Sequence, residues 1–150
     1  MIVITGHLDI RKYDDKRWSG LSRRKLLTPD GLSIESRRGL VIDFGSIPVS
    51  VWSILGVPPL GSKADEGFFW HDCLYTNHRD DSPFVIVNRD VTRREADDLM
   101  MAIHLQCGVP REKVEAIWAG VRLGASRSWM TPEDKLNAGI IQQLPAYYDQ

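Results

Sequence analysis

FFWHDCLY, residues 68–75, sets a histidine and an aspartate side by side inside an otherwise apolar run. At about 100° per residue, Phe68, His71 and Tyr75 fall on one stripe of a helix, with Asp72 at its rim and Phe69 and Cys73 facing elsewhere. Upstream, Ser62 offers an N-cap, and Asp65 and Glu66 stand where a first helical turn favours negative charge. The spacing therefore predicts a helix over 63 to about 77. Downstream, NHRDDSPFVIVNRD (77–90) reads as a long loop, a class of segment that is uncommon and often functional. Thr92-Arg93-Arg94-Glu95 then matches a capping box, predicting a helix from there to Cys107, stopped by Gly108 and Pro110. Pro110 suits the first position of a further helix reaching about Ser126, with Val114, Ile117, Trp118 and Val121 at core spacing.

The chain changes character near Pro48. Before it, short apolar runs such as IVI (2–4), LDIRKY (8–13) and LVID (40–43) alternate with turn formers. TPDG (28–31) places Pro and Gly where a reverse turn wants them, and LSIES (32–36) alternates with period two, so 24–36 reads as a hairpin. VSVWSIL (49–55), closed by Gly56 and Pro58-Pro59, reads as a short first helical segment. The expected fold is α+β in a single domain. It has a small N-terminal antiparallel sheet over about 1–47, a bundle of three to four helices over about 48–127, and a tail over 128–150.

With 150 residues the chain can bury a core without staples. Hydrophobic residues make up 43% and charged residues 26%, which excludes a disordered chain, and the formal net charge of -1 exerts no general pull toward nucleic acid or acidic membranes. The basic stretch SRRKLL (22–27) reads as a solvated loop or strand face. No apolar run approaches the ~18 residues of a membrane span, and MIVITGHLDI lacks the features of a secretion signal. Synthesis and folding in a cytoplasm, without stable membrane insertion, are expected. Cys73 and Cys107 read as reduced small hydrophobes, able to bridge only if their Cα atoms come within ~7 Å. Motifs for nucleotide binding, a zinc ribbon or a serine hydrolase are missing, and no basic stripe interleaves with the aromatics as nucleic-acid binding would require. His7, His78 and His104 read as surface residues.

A half-buried imidazole needs a partner, and a carboxylate on a facing helix would fix its tautomer and raise its basicity. Ala96, Leu99, Met100 and Ile103 mark the core stripe of the 93–107 helix, which sets Asp97 at the stripe's edge facing His71 and sends Asp98 to solvent. Asp43 closes a strand upstream. With His71 and Asp72 it would form an oxygen-and-nitrogen set suited to zinc, manganese or calcium. Asp43 and Ser46 read equally as caps of the helix that begins near Pro48.

The ordered series DFGSIP (43–48), HDCLY (71–75), RREAD (93–97), GVP (108–110) and WAGVRLGASRSW (118–129) resembles an uncharacterised family of phage and prophage proteins. Its motifs are Asp-Phe-x-Ser-Ile-Pro, His-Asp-x-Leu-Tyr and Arg-x-Glu-Ala-Asp. The resemblance implies phage structural proteins or host envelope components as partners, and a protein made in the host cytoplasm that can enter the virion. HDCLY is also similar to the catalytic helix of secretory phospholipases. That likeness implies His71 as general base, Asp72 as calcium ligand, Asp97 as the acid that orients His71, and Tyr75 as a supporting donor. LGVPPLGSKADEG (55–67) departs from the glycine-rich, disulfide-supported calcium loop of those enzymes. Two functions are thus expected. One is a phage-encoded hydrolase with a His-Asp dyad, assisted by a divalent metal such as calcium or zinc, acting on a lipid ester or cell-envelope substrate. The other is a non-catalytic virion or tail-associated structural or interaction protein in which the same pair ties helices together.

Overall fold

The computed structural model describes residues 1–12, 18–42, 48, 51, 53, 61–76, 78 and 85–129. In chain order these include β1 (Val3–Thr5), β2 (Ile10–Lys12), β3 (Trp18–Gly20), β4 (Arg24–Leu27), β5 (Ser33–Ser36), β6 (Val41–Ile42), α1 (Asp65–Thr76), β7 (Val85–Val87), α2 (Arg93–Gln106) and α3 (Arg111–Gly124). An α+β layout of antiparallel sheets followed by helices is what the alternation of patterns implies. The expected single sheet is instead two, one ordered β1-β4-β5-β7 and one ordered β2-β3-β6.

The TPDG turn forms as its residues dictate. Gly31 takes φ +92°, which costs glycine little, and Thr28 and Leu32 close the hairpin, with the Thr28 amide donating to the Leu32 carbonyl at 2.9 Å. β4 and β5 then pair with Leu26 opposite Ile34. The free edge of β5 takes β7, pairing Ile34 with Val87 and Ser36 with Val85. This corrects the reading of 77–90 as a loop throughout. Val85-Ile86-Val87 is too short to signal a strand alone, but the edge of β5 offers it a hydrogen-bond ladder and the core covers Val85 and Val87.

Period-two alternation gives SRRKLL the expected solvated strand face but takes Arg24 off it. Arg23 and Lys25 are exposed, whereas Arg24 shares the inner face of β4 with Leu26 and is only 3% exposed. Its Nη2 donates to Glu66 Oε1 at 2.6 Å, and its guanidinium lies over the rings of Phe69 and Trp70, 4.9 and 5.4 Å from their centroids. Sheet and α1 are thereby joined by an ion pair and by cation–π contact.

α1 starts where Ser62 and Asp65 satisfy the first amides. Ser62 Oγ accepts from the Ala64 amide at 3.1 Å, and the Asp65 carboxylate accepts from the amides of Gly61 (2.8 Å) and Ser62 (3.0 Å). Phe68, Phe69, Trp70, Cys73, Leu74 and Tyr75 are all buried, which makes α1 the central helix. α2 carries the expected capping box of Thr92 and Glu95 and ends at Cys107, after which Gly108 turns with φ +87°. α3 follows Pro110 and buries Val114, Ile117 and Val121, while Trp118 is only half-buried and donates from Nε1 to Asp98 Oδ1 at 2.8 Å. Cys73 and Cys107 are free thiols, Cys73 buried and Cys107 half-buried. Of the expected 49–55 helix only Val51 and Ser53 are described, both helical, and 130–150 lies outside the described residues. No helix among the described residues is long and apolar enough to cross a membrane.

His104, expected at the surface, is fully buried between α2 and α1. Its ring meets Phe68 edge-on with centroids 4.8 Å apart, and Nε2–H donates to the Ala64 carbonyl at 3.1 Å. Gly67 makes this approach possible, because a Cβ there would stand 2.1 Å from His104 Cδ2. In an exposed helix, Gly→Ala would gain about 1 kcal/mol of helix propensity. Here Gly67→Ala should instead destabilise the fold by roughly 2 kcal/mol or more, because the helices must separate. Urea denaturation checks the sign.

Burial lowers the His104 pKa from its ordinary 6.5 to about 4, since the cation would lose its hydration. The unfolded chain therefore takes up a proton between these values that the folded chain refuses. Stability from this site is complete above about pH 6.5 and is lost as the pH falls toward 4, by up to roughly 3 kcal/mol. Denaturation midpoints at about pH 7.5 and about pH 5 should differ less in His104→Gln than in the wild type.

Candidate active site

α1 presents His71 and Tyr75 one turn apart toward α2, their ring centroids 4.1 Å apart and tilted by 33°. The capping box sets where α2 begins and so brings Asp97, the residue after buried Ala96, onto the same interface. His71 Nε2 lies 2.7 Å from Asp97 Oδ1, and the Tyr75 hydroxyl donates to that same oxygen at 2.6 Å. From α3, Arg122 Nη1 reaches Asp97 Oδ2 at 2.7 Å. One carboxylate thus takes partners from the two flanking helices. The expected His71–Asp97 pairing and the supporting role of Tyr75 both appear in this geometry.

A second arginine braces the arrangement. Arg93 Nε donates to the Tyr75 hydroxyl at 3.0 Å, while its Nη2 donates to the carbonyls of Val121 (3.0 Å) and Arg122 (2.9 Å). Those carbonyls belong to the last turn of α3, where the helix dipole favours a cation. Trp129, just past a short 3-10 turn at Ser126–Ser128, packs edge-on against Tyr75 and stacks on His78 with centroids 3.9 Å apart. His78 is buried in consequence, contrary to the surface expected of it; His7 is exposed as expected.

The electrostatics of the cluster follow from burial and contact. Burial lowers the His71 pKa, and the hydrogen bond and charge of Asp97 offset this only in part. For Asp97, burial pushes the pKa up, but the bonds from His71, Tyr75 and Arg122 outweigh it and hold the carboxyl below its ordinary value. Tyr75 is pushed well up, by burial first and then by the Asp97 carboxylate, so it stays a protonated donor. At neutral pH the site is a neutral imidazole against a carboxylate. Nε2 must carry the proton that it gives to Asp97, and the lone pair of the imidazole is on Nδ1. The bond to Asp97 thus fixes the tautomer and the orientation of the ring.

Asp72 is not at a rim. It is fully buried, as are the side chains of His71 and Asp97. The aromatic residues around it are enclosed on both sides of α1, which leaves this stretch of helix no solvent face. Asp43, its expected co-ligand, lies outside the described residues, as does Ser46. Among the described residues no three His, Cys, Asp or Glu side chains come together at ligand spacing.

Arg93 and Arg122 are the site residues that sequence reasoning overlooks. The signal for them is a balance of charge: a carboxylate on a core stripe demands a cation. Arg93 stands four residues before Asp97, and Arg122 directly follows the core residue Val121. Asp98, by contrast, is half-exposed as its place on the helix predicts.

A family model described as "Protein of unknown function (DUF1353)" matches residues 23–121, a span that holds the hairpin, α1, α2 and most of α3. No curated protein and no solved structure matches the chain. His71, Tyr75, Arg93 and Asp97 all fall within the matched span, which covers well over half of the sequence, and the protein belongs to the DUF1353 family.

Proposed function

We propose that the protein is a phage-encoded hydrolase in which His71 activates water against an ester of a lipid or of the host cell envelope. The observation that supports this reading is the double engagement of Asp97 Oδ1, by His71 Nε2 and by the Tyr75 hydroxyl. It holds the imidazole in one tautomer with Nδ1 as the base, the arrangement that the likeness of HDCLY to the phospholipase helix implies. In the step, a water gives a proton to His71 Nδ1 as its oxygen bonds to the ester carbonyl carbon. The tetrahedral intermediate then breaks its bond to the alcohol oxygen, which takes the proton back from the imidazolium. An acid and an alcohol result. Asp97 stabilises the transient imidazolium, and Tyr75, Arg93 and Arg122 hold Asp97 in place.

A second reading is favoured by one specific observation, the complete burial of both partners. In it the network joins α1, α2 and α3 in a virion or tail-associated protein and catalyses nothing. The two readings diverge in the wild type. A hydrolase should cleave phospholipid or envelope esters, and His71→Gln should lower the rate by about 100-fold or more while the protein still melts cooperatively. Assays of the wild type on such a panel, with calcium, zinc or manganese added in turn, that yield no hydrolysis would end the enzymatic reading. In either case Asp97→Asn should cost roughly 3 kcal/mol or more, because it leaves Arg122 facing a neutral amide. Chemical denaturation measures that loss separately from activity.

A further inference from the structure

A cavity of about 260 Å³ lies beside the three-stranded sheet, lined by Arg11, Lys12 and Arg38 together with Ser19 and Leu21. It shares no residue with the His71–Asp97 cluster. The chain has 19 basic and 20 acidic residues, and several of its arginines elsewhere pair with carboxylates: Arg23 with Glu35, Arg89 with Glu95, Arg122 with Asp97. Arg11, Lys12 and Arg38 form no ion pair among the described residues, and the described lining contains no carboxylate. Arg11 and Lys12 are consecutive on β2 and so face opposite sides of the sheet, and the like charges of Arg11 and Arg38 concentrate positive potential at the concavity.

The remaining lining sharpens the chemistry. Three backbone amides at the cavity are already used: Gly20 N–H donates to the Leu40 carbonyl, Gly39 N–H to that of Gly20, and Leu21 N–H to that of Asp9. Gly39, at φ +89°, and Gly20 project no side chain into the space. Arg11 and Ser19 stand opposite each other on β2 and β3 and so share one face of the sheet, which brings a guanidinium group and the hydroxyl of Ser19, itself only 6% exposed, to the cavity beside Arg38. A site made of cationic donors and one hydroxyl selects a ligand rich in anionic acceptors. Guanidinium forks match the paired oxygens of a phosphate. The volume falls below the roughly 300 Å³ at which pockets begin to hold drug-sized ligands, so it suits a phosphate with a small substituent.

We infer that this cavity is a binding site for a phosphate group, carried either by a small phosphate ester or by a lipid headgroup. The inference is independent of the hydrolase reading, because its readout is binding and none of its residues belongs to the dyad. The test uses the purified full chain in two arms. One titrates inorganic phosphate by calorimetry; the other measures co-sedimentation with phosphatidylcholine vesicles, with and without phosphatidylglycerol. Binding should appear in at least one arm and weaken as salt is raised. Arg38→Gln and Arg11→Gln should each lower the affinity about tenfold, while Arg111→Gln, exposed on α3, should leave it unchanged. Phosphate binding without vesicle binding identifies a soluble ester as the source, and vesicle binding that requires phosphatidylglycerol identifies a headgroup. Absence of binding in both arms, or an equal loss in Arg111→Gln, overturns the site.

Discussion

Everything in the helical half depends on one buried charge. A carboxylate taken out of water without partners is too costly for a fold to carry, by far more than the 5 to 15 kcal/mol that roughly measures a domain's whole stability. Asp97 is fully buried and yet held ionised, because His71, Tyr75 and Arg122 return the hydrogen bonds that water would have made. Those partners come from α1 and α3, so satisfying the charge on α2 requires all three helices to be in place at once. The geometry that keeps the charge tolerable is also the geometry that orients an imidazole. Structural and catalytic accounts therefore share the same atoms, and only chemistry measured in solution divides them.

The rest of the fold supports this arrangement from two sides. The ion pair of Arg24 with Glu66, backed by the Phe69 and Trp70 rings, joins the hairpin sheet to the first turns of α1. Gly67 lets α2 approach so closely that His104 fills the place of its missing side chain. Similar economy appears on α3, where a Cβ on Gly120 would stand 2.7 Å from Val51 Cγ2 and one on Gly124 2.9 Å from Pro48 Cγ.

Local chemistry made much of this legible. The TPDG hairpin, the Thr92–Glu95 capping box and the stops at Gly108 and Pro110 are set by interactions within a few residues, and they stand where the chain pattern puts them. The facing of His71 and Asp97 was legible too, since each lies on or beside an apolar stripe and two such stripes must meet. The departures share a cause. Arg24, His78 and His104 read as solvated from their local stretches, yet each is buried by a neighbour distant in sequence: Glu66 for Arg24, Trp129 for His78, Ala64 and Phe68 for His104. Residues 85–87 likewise become a strand only because β5, some fifty positions earlier, presents an open edge.

Periodicity and capping act over one or two turns, so the α+β order, the helix termini and the stripe that carries His71 and Tyr75 follow from the residues in each stretch. The enclosure of Asp72, the completion of the Asp97 cluster by Arg93 and Arg122, and the meeting of Arg11 and Arg38 at one cavity arise from packing between distant segments. Burial and charge balance are properties of which surfaces meet, and no short stretch of chain contains that information. In FFWHDCLY the histidine sits in an apolar run because Asp97, on another helix and absent from the run itself, receives it there.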